Sequence, residues 1–215
     1  MTTRPAPLQH DPTLVRPEIC GPDDGPSDDS TTPFPVKLAG WVSRGFGRGS
    51  KDLGCPTANL PDSSISPYYD TLQTGVYFGY ARVLESTTTD DDDDGGAMTN
   101  EHDRVHPMVM SIGWNPFYNN DTRTAEVHIL HTYPTDFYGK ELRVIMLGFI
   151  RPEYNYTSMD ALIKDIEFDK QVAWRSTTTR QSYSKFSRDE FFFQRSTLEP
   201  PTEDLSKPRV KPSDA

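Results

Sequence analysis

Two short stretches carry residue types that could handle a phosphorylated ligand. In Gly54-Cys55-Pro56-Thr57-Ala58-Asn59-Leu60-Pro61 a hydroxyl and a carboxamide stand two residues apart. Pro56 sets its own φ and restricts Cys55, so the chain reads as extended and stiff there. Side chains two apart in an extended chain share a face, so Thr57 and Asn59 present neighbouring neutral oxygens. Mg²⁺ accepts such hard oxygens when nucleotide phosphates and waters complete its shell. A locally hydrogen-bonded turn would use the same residues. Just upstream, Gly45, Gly47, Gly49 and Gly54 surround Phe46, Arg48 and Lys51. Such a loop lets backbone N–H groups approach phosphate oxygens, and Lys51 adds a point charge. It contains no G-x-x-x-x-G-K-[ST], and no βαβ pattern follows, which disfavours a Walker A site and a dinucleotide fingerprint.

A third stretch supplies an acid. In TRTAEVHIL (122–130) a period of two puts Val127 and Ile129 on one face and Glu126, His128 and Leu130 on the other. A carboxylate so placed is either functional or on a solvated face. His128 and His131 are three apart, which points them to opposite faces of a strand and disfavours a shared zinc. No nucleophile elbow is present. Trp41, Trp114 and the tyrosines read by default as packing aromatics.

The elements that must position these residues are mostly strands. VKLAGWV (36–42), GVYFGYARVL (75–84), MVMSIGW (108–114), TRTAEVHIL and ELRVIMLGFI (141–150) are rich in β-branched and aromatic residues. NPFYNND (115–121) and the stretch near Tyr138 and Gly139 carry turn residues. Five or six strands without interleaved helices predict a mainly β fold, a closed antiparallel barrel. Met159, Leu162, Ile163, Ile166 and Ala173 recur at helical spacing. Thr157 or Ser158 caps that helix, Asp160 suits its first turn, and Ser176 with three threonines ends it. Phe191, Phe192 and Phe193 are too apolar for water and predict a segment docked back on the barrel.

Composition bounds the rest. A chain of 215 residues has room for one domain with tails. Its 34% apolar content and 19 prolines imply a compact core diluted by disordered sequence. The reading is a disordered extension over 1–35, a barrel domain over 36–195 with an acidic loop inserted at 85–103, and a flexible tail over 196–215. The net charge of −10 resides in those appendages: residues 1–35 carry −4 and residues 85–103 carry −8, leaving +2 elsewhere. That near-neutral remainder argues against nucleic acid as a partner. No apolar run approaches a membrane span, and the N-terminus lacks a signal or transit pattern. Two cysteines are too few for a disulfide framework. The expected location is therefore intracellular, most simply the cytoplasm, and the expected state is a monomer.

GWVSRGFGRGSKDLGCPTANLP resembles the signature of riboflavin kinases, a glycine-rich loop followed by a P-T-A-N segment. The similarity continues through TGVYFGYARV, SIGWNPFY, AEVHILHTYPTDFYGKEL and GFIRPEYNY, over roughly residues 38–174. The resemblance implies a six-stranded Greek-key barrel with a C-terminal helix. It also implies transfer of the γ-phosphoryl of ATP to the 5′-hydroxyl of riboflavin, giving FMN and ADP. Many bacterial relatives add an FMN adenylyltransferase domain, for which this chain has no room, so the similarity is to the monofunctional eukaryotic kind. Carried over by position, Thr57 and Asn59 match the pair that contacts Mg²⁺ and ATP, with Zn²⁺ or Mn²⁺ as alternative ions. Gly45 and Lys51 fall in the phosphate-facing loop. Ile129, His131 and Tyr138 match positions lining the nucleotide site. Arg151, Tyr154 and Tyr156 match the flap that closes on the flavin. At Tyr154 the family pattern carries Lys in places, so a backbone or stacking contact is implied there. Glu126 corresponds to the catalytic carboxylate.

Two other readings stand beside this one. A flavin-binding split barrel would hold FMN without making it, and would need neither the P-T-A-N pair nor the glycine-rich loop. A barrel of OB type for single-stranded nucleic acid would need a basic groove, which the near-neutral core does not supply.

Overall fold

The computed structural model describes residues 7–26, 33–45, 55–84, 105–114 and 123–207. The strands are β1 (Leu8–Gln9), β2 (Val36–Trp41), β3 (Ala58–Leu60), β4 (Gly75–Leu84), β5 (His106–Trp114), β6 (Arg123–Ile129), β7 (Glu141–Arg151) and β8 (Tyr154–Asn155). The helices are α1 (Asp62–Ile65), α2 (Met159–Thr178) and α3 (Gln181–Ser184). Six strands form one antiparallel sheet in the order β2-β7-β4-β5-β6-β3. β4, β5 and β6 make a meander and β7 returns beside β4, the Greek-key arrangement. The edges of the sheet meet at one bridge, where the Ser43 N–H donates to the Asn59 carbonyl at 3.1 Å. The sheet therefore curls into the barrel that the strand pattern predicts.

Strand alternation sorts side chains into two apolar layers. Leu38, Tyr77, Met110, Val127 and Val144 fill the barrel interior. Phe78, Tyr80, Ile145 and Leu147 point outward and meet Val172 and Ala173 of α2, with Tyr183, Phe192 and Cys20. Being covered on both faces, β4 and β7 read as nearly continuous apolar runs. α1 was not evident from periodicity, because four residues are too few to show one. It contributes buried Ile65 to the interior, and Ser64 Oγ donates to the Ala39 carbonyl at 2.7 Å.

Ser158 is the N-cap of α2, accepting from the Ala161 N–H, as its position predicts. The helix ends at Thr178, within the Ser176-to-Thr179 stretch expected to stop it. Threonine hydroxyls close on their own helix here: Thr177 Oγ1 donates to the Ala173 carbonyl at 2.7 Å and Thr178 Oγ1 to that of Trp174 at 2.7 Å. That back-bonding leaves the hydroxyls satisfied within the helix end. Phe192 is buried, and Arg82 and Arg143 donate to the Phe192 and Phe191 carbonyls at 2.7 and 2.6 Å, docking the predicted segment.

Two segments expected to be disordered make described contacts over part of their length. Residues 7–26 lie along α2 and β8: the Cys20 N–H donates to Ser176 Oγ at 2.9 Å, and Arg180 reaches the Gly21 carbonyl at 2.9 Å. At the C-terminal end, Trp41 Nε1 donates to the Glu199 carbonyl at 2.8 Å and the Arg44 N–H to that of Leu205 at 2.9 Å. A Pro- and charge-rich composition hides such segments because directed backbone bonds, rather than apolar burial, hold them. The acidic insertion over 85–103, the turn over 115–121 and Lys51 lie outside the described residues.

Candidate functional site

The expected residues are best placed by following one line across the sheet. Asn59 of β3 lies opposite Glu126 of β6, and Glu126 opposite Ser111 of β5. Ser111 lies opposite Val76 of β4, and Val76 opposite Arg151 of β7. Residues paired in register share a face, here the outer one, since their neighbours Met110, Val127 and Tyr77 fill the interior. A bulge between Val76 and Tyr77 shifts the β4–β7 register, and the extra residue lets Arg151 emerge outward although Phe149 faces in. At about 4.8 Å per strand, Glu126 and Arg151 stand about 14 Å apart along the sheet.

At one end of this row the polar groups are half-buried and close together. Thr57 Oγ1 donates to Glu126 Oε2 at 3.2 Å. The carboxamide of Asn59 comes so close to Gly45 that a Cβ there would sit 2.6 Å from Asn59 Nδ2, so only glycine lets the start of the Gly-rich segment close over it. Thr57 also lines a cavity of about 400 Å³, a size ordinary for a small-molecule site. Ile129, His131 and Tyr138 line the same cavity, as three of the expected nucleotide-facing residues. Ile129 belongs to the interior layer. His131 lies just past β6 and stacks on His106, with ring centroids 4.0 Å apart.

The local electrostatics keep nearby groups neutral. Burial lowers the pKa of His128, opposed by its Nδ1 contact to the Pro56 carbonyl at 2.8 Å. Burial pushes the Cys55 thiol up to about 11, so it is neither nucleophile nor ligand at neutral pH. Lys170 of α2 also faces this cavity and pairs with Glu167 at 2.6 Å.

The other end of the row is buried and crowded with charge. Arg151 Nε donates to both oxygens of Asp169, at 3.2 and 3.0 Å, and its Nη2 stands 2.8 Å from Oδ2. Its guanidinium lies over the rings of Tyr154 and Tyr156, 5.3 and 5.9 Å from their centroids. Tyr156 Oη donates to Asp165 at 2.7 Å, and burial followed by that bond raises the phenol pKa. Arg16 ion-pairs with Asp169 and stands 3.3 Å from Asp165. The three expected flap residues thus cluster, but around two carboxylates of α2, Asp165 and Asp169. A signal existed for Asp169, which follows Leu162 and Ile166 and precedes Ala173 at helical spacing. An acid on that apolar stripe is 2% exposed and must be paired. Ser111, between the two clusters in the row, carried no signal beyond its strand position.

A Greek-key barrel that gathers an acid, a hydroxyl and a carboxamide at one sheet edge, with the hydroxyl lining a cavity of about 400 Å³, fits the class of small β-barrel phosphotransferases. Comparison narrows the class. The family model for flavokinase, riboflavin kinase, matches residues 32–177. The riboflavin kinase of Pyricularia oryzae is 50% identical over 170 residues, covering 79% of this chain and 82% of that one. That of Meyerozyma guilliermondii is 41% identical over 170 residues, covering 74% and 92%. The crystal structure of riboflavin kinase from Trypanosoma brucei superposes with a TM-score of 0.58 at 25% identity, over 80% of this chain and 97% of that one. The chain belongs to the riboflavin kinase family.

Proposed function

We propose that this enzyme transfers the γ-phosphoryl group of ATP to the 5′-hydroxyl of riboflavin, with Glu126 as the group that touches the acceptor alcohol. The observation that carries the residue assignment is the convergence of Thr57, Asn59 and Glu126 at one edge of the sheet beside the 400 Å³ cavity. ATP occupies that cavity, against Ile129, His131 and Tyr138, with its phosphates directed to Thr57, Asn59 and the loop from Gly45 through Lys51. The flavin ring lies toward Tyr154, Tyr156 and Arg151. The span along the row suits a tricyclic ring carrying a five-carbon polyol, so the terminal hydroxyl reaches Glu126 while the ring stays at the flap.

A carboxylate is a weak base toward an unactivated primary alcohol. Phosphoryl transfer eases this, because in a loose transition state the hydroxyl proton departs late, as the new O–P bond forms and the bond to ADP breaks. Glu126 orients the hydroxyl and takes that proton, a contribution of about 10²–10⁴-fold. Alignment of the two substrates supplies much of the rest. Thr57, through its bond to Glu126, holds the carboxylate in place.

The donor set at this edge fits a hard divalent ion: a hydroxyl and a carboxamide oxygen, with the carboxylate adjacent and Gly45 leaving room above Asn59. Thr57 and Asn59 would hold Mg²⁺, with Mn²⁺ or Zn²⁺ as alternatives. Bound there, the ion would neutralise phosphate charge. Among the described residues no helix is long and apolar enough to cross a membrane. Both cysteines are free thiols, in keeping with a reducing compartment, and we place the enzyme in the cytoplasm as a monomer. Incubation of the folded protein with riboflavin, ATP and Mg²⁺, followed by chromatography, is expected to yield FMN and ADP in equal amounts. Absence of both products would overturn the activity.

A further inference from the structure

We infer that residues 7–26 form a working part of the acceptor site, an arm that sets the position of the Tyr154–Tyr156 flap, with Arg16 as its positioning residue. This rests on the reading that the flap closes on the flavin.

The flap cannot position itself. β8 is two residues long, and among the described residues its one strand neighbour is β1 of the arm, in parallel register with Leu8 opposite Tyr154 and Gln9 opposite Asn155. The His10 N–H adds a bond to the Asn155 carbonyl at 3.0 Å. So short a pair is unstable alone and needs side-chain support. The His10 ring provides some, packing 4.8 Å from the Tyr156 ring and edge-on to Tyr154 at 6.1 Å.

Charge accounts for Arg16. Asp169 is buried and Asp165 nearly so, and both hold flap residues: Asp169 takes Arg151 and Asp165 takes Tyr156. Without Arg16, two carboxylates would face one permanent cation, Arg151, with the His10 Nε2 3.6 Å from Asp165, in a poorly solvated site. Arg16 enters between them, contacting both carboxylates, and its own side chain is 11% exposed. Its guanidinium also covers the Phe168 ring, 4.8 Å from the centroid. Two cations against two anions balance the cluster and hold each flap partner in one geometry.

Apolar burial does not explain why the arm lies here, since Val15 is 92% and Leu14 54% exposed. Its polar contacts are directed at the flap and at the α2 face beneath it. The far end is anchored separately. Gly21 adopts φ +85° and the Tyr183 hydroxyl occupies the space a Cβ there would need, so only glycine fits, and Arg180 also donates to the carbonyls of Cys20 and Pro22. The part of the arm beside the flap can therefore be altered without dislodging the part that packs on the second core.

Two variants test this: Arg16→Gln in the full chain, and a chain beginning at residue 11, which lacks β1 and His10 but keeps Arg16 and the Cys20 anchor. Initial rates are measured with riboflavin varied at saturating Mg-ATP, and with ATP varied at saturating riboflavin. Each variant is expected to raise KM for riboflavin about tenfold while KM for ATP stays within about twofold, with Arg16→Lys recovering part of the loss. A riboflavin KM unchanged in both variants overturns the proposal. So does a parallel rise in both KM values, which would mean general loosening. Should Arg16→Gln fail to fold, judged by its melting profile, the shortened chain decides. Quenching of riboflavin fluorescence by the same proteins gives Kd without turnover, so a kinase reading that failed because the intact chain made no FMN would still leave the arm to be judged. Equal affinities in parent and variants would then sink it.

Discussion

Thr57, Asn59 and Glu126 occupy one end of a row of paired residues, and Arg151 with its carboxylate partners occupies the other. Both ends are polar, yet they are built on opposite terms. At the Glu126 end a single hydrogen bond from Thr57 is the side-chain contact described for the carboxylate, and the groups are half-buried beside a cavity. At the Arg151 end Asp169 is shared between two guanidiniums, Asp165 is shared between Arg16 and Tyr156, and His10 packs on the tyrosine rings. A group that must handle a reacting atom needs lone pairs left over. A group that must hold a shape needs them all used. The first end is suited to chemistry and the second to holding a surface in place.

Substitutions should separate these roles. Glu126→Gln keeps the shape and removes the base, so turnover should fall by about 10²–10⁴-fold with KM for ATP and melting temperature little changed. Near-normal kcat in that variant would dissolve the contrast at its stronger end. Asp169→Ala should show the reverse emphasis, because it strands the buried Arg151 and Arg16 without their shared anion. Removing one partner of such a pair costs about 3–5 kcal/mol, read as a lower urea midpoint. A variant of unchanged stability would mean that the charge cluster does not hold the flap.

A smaller effect is expected at Asn59→Ala, which removes one oxygen from the phosphate-facing edge and leaves the fold intact. kcat/KM for Mg-ATP should drop roughly tenfold, about 1.4 kcal/mol, while Kd for riboflavin holds. Equal losses for both substrates would place Asn59 outside the nucleotide end. The smallest effect concerns acid. Burial depresses the pKa of His128, so the unfolded chain takes up its proton more readily than the folded one. His128 costs nothing well above about pH 6.5. Its penalty grows as pH falls through the unfolded value and levels off below the lowered folded one. Melting temperature followed from pH 8 to 5 should fall less steeply in His128→Gln. Identical slopes would mean that the ring protonates freely in place.

Much of this was legible without coordinates. Strands at 75–84 and 141–150 announced themselves by composition, and the Ser158 cap and the docking of Phe192 followed from residue type and burial. Glu126 and the Thr57–Asn59 pair were ambiguous from the residues alone, since solvated strands and turns use the same types. The similarity to riboflavin kinases singled them out. The arm is hidden in the sequence because prolines, glycines and aspartates read as disorder when their partners are 153 to 160 residues away. Arg16 meeting Asp169 and Arg180 meeting Gly21 are contacts that no local pattern encodes. Asp169 was visible as an acid on an apolar stripe, although what it would pair with was not.

Local sequence by itself determined the five longer strands, which face of β6 carries Glu126, and that Thr57 and Asn59 point together, because alternation and proline stiffness act over a few residues. Tertiary structure alone decided that Asn59 and Arg151 lie on one line with Glu126. That line depends on how six strands register, and on a bulge that turns Arg151 from the interior to the surface of α2. Register is a sum over contacts distant in the chain, and one added residue reverses every facing beyond it.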